Sequence, residues 1–222
     1  MHDVKHMWNF DHDALNLDDI LEKIAFDLYQ AENPGVILIV ANATEAAKLV
    51  IKIKETGLIN PIFGTDSMGN ITFIKALEEK VGKRNVANYA DGIYTISFAI
   101  FAIAGGSSNV FLNNFVSKYR LIPTGDAAAY YDAAGITLQA IEFADNRGTT
   151  VRQKRKEIQK YLSAINMENA YEGASGKIFF DNNGSAIKSI AVGMYKKGNL
   201  IPAMVQLVPK FDARLISNYR NA

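Results

Sequence analysis

The sequence predicts an α/β fold, a doubly wound and mostly parallel sheet with helices on both faces. Three observations carry this reading. The stretch "GVILIVANATEAAKLV", Gly35 to Val50, is a bare apolar run that passes at Ala41 and Asn42 into an amphipathic segment, so a strand feeds a helix. Strand and helix patterns then alternate with short connections as far as Phe98, the order of a wound layer. "VILIV" is apolar at every position, as in a parallel strand covered on both faces.

Taken in order, "VKHMWNF" reads as a first strand running into the loop "DHDALN". A helix follows from about Leu17 to Glu32, with Ile20, Leu21, Ile24, Leu28 and Ala31 on one face and Asp18 and Asp19 complementing the dipole of its first turn. "ENPG" stops it, because proline disfavours helical geometry in the residue before it. The second strand is "VILIV". The second helix carries a capping-box pattern, Asn42 with Glu45 three residues on, and closes at Gly57 with a left-handed cap. "PIFG" is the third strand, "ITFIKALEEK" the third helix and "GIYTISF" the fourth strand.

After Gly105 and Gly106 the pattern turns helical, at "SNVFLNNFVSKYR", "DAAAYYDAAGITLQAIEFA" and "TVRQKRKEIQKYLSAI". Two hairpins follow, turning at Asn182-Asn183-Gly184 and at Lys197-Gly198-Asn199, and "FDARLISNYRNA" is a weakly patterned tail.

Composition removes several function classes. A formal net charge of +1 and a basic run, Arg152 to Lys160, that reads as the solvated face of a helix give nucleic acid no clustered basic surface. Without cysteine there is no disulfide framework, thiolate catalysis or cysteine-ligated zinc. "MHDVKHMWNF" lacks the apolar core of a signal peptide, and the most apolar run, Gly92 to Gly106, falls short of the roughly 20 residues that span a bilayer. His2, His6 and His12 with Asp3, Asp11 and Asp13 read as a polar terminus and not a metal site. "DNNG" lacks the alternating ligands and closing glutamate of a calcium loop. The Tyr130–Tyr131 pair reads as packing, and no serine stands in a nucleophile elbow or a Ser–His–carboxylate order.

From Phe10 to Leu207 the ordered segments resemble the type I periplasmic binding proteins, in particular the branched-chain amino-acid-binding receptors. "ILIVANATEAAKLVIKIKETGLINPIFGTDSMGN" is similar to their second-lobe core, and "DGIYTISF" to the next strand. "AAYYDAAGITLQAIEFA" resembles their Tyr-Asp-Ala helix, and "YEGASGKIFFDNNGSAIKSIAVGMYKKGNLIP" their closing signature. Members of that family are two-lobed. By the resemblance, residues 1–105 are second-lobe α/β material, 106–186 resemble the returning part of the first lobe, and 187–222 are a crossing-back hairpin and tail. The fold is thus expected to be incomplete, the chain being a fragment, a truncated product or one half of a split receptor.

The resemblance also implies a site and a function. The ligand of such receptors lies between the lobes, at the carboxyl ends of the strands. The matching positions are Asn42 and Asp66, the latter where an acidic residue meets the ligand's ammonium; helix capping and turn formation explain the same two residues without a ligand. Thr65 and Ser67 flank Asp66 as hydrogen-bond donors, and Tyr94 and Ser97 are expected to face the cleft. Segments near 99–106 and 186–189 are expected to act as hinges. The implied role is an extracytoplasmic, periplasmic or extracellular receptor for an amino acid or similar small zwitterion, feeding a membrane-embedded ABC-type permease without cofactor or chemistry. Two alternatives share the fold: a ligand-sensing domain of a signalling protein, and a truncated scaffold. A homodimer or a complementary chain is expected to cover the surface left by the missing lobe.

Overall fold

The computed structural model describes residues 6–103, 105–188, 190–204 and 206. Its first part alternates α1 (Leu17–Gln30), β1 (Ile37–Ile39), α2 (Ala43–Glu55), β2 (Ile62–Gly64), α3 (Ile71–Val81), the short α4 (Val86–Ala90) and β3 (Tyr94–Ser97). Three helices, α5 (Gly106–Tyr119), α6 (Gly125–Asp145) and α7 (Val151–Ala164), come next. They precede β4 (Tyr171–Gly173), β5 (Gly176–Phe180) and β6 (Ala186–Lys188), and then β7 (Ala191–Lys196) and β8 (Asn199–Pro202).

The strands form two sheets. One has the order β1-β2-β3-β7-β8, parallel across its first three strands and antiparallel where β7 and β8 return; the other is the antiparallel set β4-β5-β6. The α/β class read from the sequence stands. The return to the larger sheet falls after Lys188, since Ile187 and Lys188 still pair with β5.

Helices α1 to α4 pack in sequence order and share one core with Ile37, Ile39, Ile62, Ile93 and Tyr195. Two ion pairs between helices, Lys48 with Asp18 and Lys52 with Glu22, each at 2.9 Å, fasten α2 to α1. The second part has smaller clusters, Phe111 with Ala128 and Ala174, and Ile136 with Ile165 and Ile178. Its firmest link is Asp132 of α6, fully buried, which accepts from Ala174 N at 2.6 Å, Ser175 N at 2.7 Å and Ser175 Oγ at 2.6 Å in the β4–β5 turn. Gly173 belongs there because a Cβ would overlap that carboxylate.

Both hairpin turns form where expected. Asp181 Oδ1 accepts from Asn183 N and Ser185 N in the first turn, and Lys197 and Gly198 both take positive φ in the second. Helix α7 exposes every side chain at least in part, as its basic run implies. No described helix is long and apolar enough to cross a membrane.

Three local expectations need correction. Residues 6–10 are not a strand: Trp8 and Phe10 pack onto the main core, and the side-chain anchoring replaces strand pairing. The capping box at Asn42 does not form, because neither side chain closes it and Ala46 N bonds only the Asn42 carbonyl. Strand β1 is covered on one face; Leu38, read as buried, is 63% exposed, with Val36 and Val40 beside it on the open side.

Candidate functional site

Strands β1 and β2 are parallel and in register, Ile39 opposite Gly64, so their carboxyl ends lie side by side. The residues that follow, Val40 to Asn42 and Thr65 to Ser67, border one cleft of about 490 Å³. Helix α2 contributes Glu45, in its first turn, and the stretch from Trp8 to His12 supplies the remaining wall.

The Thr65–Gly69 loop is held on three sides. Thr95, buried in β3, donates from Oγ1 to the Thr65 carbonyl at 2.6 Å. Tyr195 Oη in β7 donates to the Met68 carbonyl at 2.7 Å, and burial raises the pKa of that phenol. Gly69 sits against the Ile96 carbonyl, where a Cβ would overlap the oxygen. Residues Asp66–Met68 form a single 3₁₀ turn, with Asp66 Oδ1 accepting from Ser67 N at 3.0 Å. Asp66 is exposed at the cleft rim.

The opposite wall is anchored by Trp8, whose Nε1 donates to Asp27 Oδ2 at 3.4 Å. Lys23 reaches the same carboxylate at 2.8 Å and lowers its pKa. His12 lies between Asp11 at 3.6 Å and Asp13 at 3.3 Å, and the three exposed groups keep one ligand atom each within 4.8 Å of the others. His2 and Asp3 lie outside the described residues.

Four of the six residues singled out in the sequence, Asn42, Thr65, Asp66 and Ser67, therefore border one cleft. Tyr94 and Ser97 do not. Tyr94 projects from the open face of the sheet, and Ser97 is buried, donating from Oγ to the Ala99 carbonyl at 3.2 Å. Sequence reasoning missed Trp8, Phe10, His12 and Glu45 as cleft residues. The signal for Glu45 was present, since a polar residue follows the strand end by one helical turn, but helix capping absorbed it.

No protein-family model matches the chain, and no curated protein matches it. Solved structures do. A leucine-binding protein of Thermotoga maritima superposes with a TM-score of 0.69 at 24% identity, over 89% of this chain and 50% of that one. A branched-chain amino-acid transporter substrate-binding protein of Streptococcus pneumoniae, solved with isoleucine, gives 0.66 at 21%, over 86% and 48%. A solute-binding protein of R. palustris, solved with benzoate, gives 0.65 at 14%, over 87% and 47%. The chain thus has the fold of the type I periplasmic binding proteins, across about half the length of the solved structures it resembles.

Proposed function

We propose that this chain is the ligand-binding part of an extracytoplasmic solute receptor that closes on an amino acid or similar small zwitterion without converting it. The observation that carries the reading is the cleft itself: Asn42, Thr65, Asp66 and Ser67 meet at the carboxyl ends of adjacent parallel strands, where open α/β sheets place ligands. Neighbours of the same fold were solved with leucine or isoleucine bound. Polar groups at strand ends, the start of α2 and exclusion of water supply affinity, and an ABC-type permease takes the delivered solute. A screen of free amino acids by thermal shift tests it. At least one should raise the melting temperature, and Asp66→Asn should remove that rise while leaving the unliganded melt nearly unchanged. If the rise survives the substitution, Asp66 is not the ammonium partner.

The open side of β1 favours a second role beside the first. A polypeptide carrying the other half of the two-lobed fold would cover Val36, Leu38 and Val40. Native mass spectrometry of this chain co-expressed with such a half should give a 1:1 complex, whereas a persistent 24.4 kDa monomer removes this role.

A further inference from the structure

Glu45 stands out among the polar groups of the cleft. Its Oε2 is buried and has no hydrogen-bond partner, although the residue borders an open cavity. A carboxylate oxygen removed from water without a donor is unfavourable, so a native structure keeps one where something else supplies the donor. Lys48 and Lys52 of its own helix do not, since they reach back to Asp18 and Glu22 on α1. Among the described residues no lysine or arginine borders the cleft, which carries two carboxylates, Glu45 and Asp66, with the rings of Trp8, Phe10 and His12. Carboxylates and aromatic faces both favour cations. A neutral zwitterion answers one carboxylate with its ammonium and leaves the other without a partner.

We propose that Glu45 is a ligand-binding residue that selects for a second positive charge, so that the preferred solute is an alkyl chain with an ammonium at each end, as in a basic amino acid or an aliphatic diamine. This rests on the receptor reading above and narrows its solute class. The second ammonium lies against Glu45 in the first turn of α2, and the aromatic wall from Trp8 to Phe10 covers the alkyl chain and the charge.

The test is calorimetric titration of the full chain with L-lysine, 1,5-diaminopentane and L-leucine, on the natural protein and on Glu45→Gln. The expected result is that L-lysine or the diamine binds at least about tenfold tighter than L-leucine, and that Glu45→Gln brings the lysine or diamine affinity down to that of leucine. Lysine binding with diamine silent identifies an amino acid as the source; the reverse identifies a diamine. Since Oε2 has no partner to lose, Glu45→Gln should melt at or above the natural temperature, and Glu45→Ala repeats the test without an amide. Leucine binding as tight as lysine, or a preference that survives both variants, overturns the proposal and leaves the receptor reading standing. Silence of all three solutes on a folded chain overturns this proposal, and silence across the amino-acid screen overturns the receptor reading as well.

Discussion

Replacing Tyr195 by Phe isolates the hydrogen bond that ties the cleft loop to the sheet. Tyr195 is 2% exposed, its ring rests against Phe73 with centroids 5.8 Å apart, and its hydroxyl donates to the Met68 carbonyl at 2.7 Å. Phenylalanine keeps the ring and its packing, so the change removes the donor and little else. Met68 is fully buried, and water has no easy route to the carbonyl left behind. An unsatisfied buried acceptor costs about 1–3 kcal/mol, and we take roughly 2 kcal/mol for this one. For a domain of this size that is a fall in melting temperature of about 4–8 °C. Urea titration is the assay, with the slope unchanged so that the midpoint shift reports stability alone. Amide exchange should quicken at Ser67 to Gly69 in particular, because the lost bond is local to that loop. A loss under about 0.5 kcal/mol, or exchange that is unaltered in the loop, would refute the view that this bond fixes the cleft wall.

Other perturbations test separate parts of the structure. Asp132→Asn replaces a carboxylate that accepts three hydrogen bonds with a group that must turn an NH₂ toward one of the donors; destabilisation of about 3 kcal/mol is expected by urea titration, and a change within about 1 kcal/mol would show that the β4–β5 turn is held otherwise. Lys188 lies half-buried, 3.4 Å from Ser175 Oγ and over the Phe98 ring, and burial lowers its pKa from the ordinary 10.5. Burial favours the neutral amine, so this residue adds stability as pH rises through its depressed value toward 10.5 and withdraws it as pH falls. The stability of the natural protein relative to Lys188→Met should therefore rise with pH over that alkaline window; a difference independent of pH would contradict it.

The cleft was legible where its signal is local. The passage from apolar strand to polar loop at Ala41–Asn42 and at Gly64–Thr65 is written in consecutive residues, and so the strand ends could be placed without knowing their neighbours. Facing was not legible. In β3, Thr95 and Ser97 are buried while Tyr94 is exposed, the inverse of what hydropathy predicts. The hydroxyls go inside because the Thr65 and Ala99 carbonyls receive them, and those partners come from other elements or from the chain's own bend. Asp132 was hidden in the same way. Next to two tyrosines it reads as the polar edge of an aromatic helix, yet Tyr131 packs on Phe111 while the carboxylate alone is buried. Its partners, Ala174 and Ser175, lie more than 40 residues away.

The larger sheet carries the same lesson in the other direction. Leu38, Phe63, Tyr94, Met194 and Ile201 stand opposite one another in consecutive strands, so a single apolar row crosses all five strands on one face. Leu38 and Tyr94 in that row are exposed, while Ile37, Ile39 and Tyr195 on the other face are buried beneath the helices. A strand written as "VILIV" pays for apolar side chains on both sides only if both sides are covered. The described residues cover one of them, and the solved structures of this fold are about twice as long. The sequence of β1 thus encodes a surface that its own helix layer does not satisfy. The cleft reaches that row at Val40, the residue after β1, so whatever covers the row also borders the cleft lined by Glu45 and Asp66.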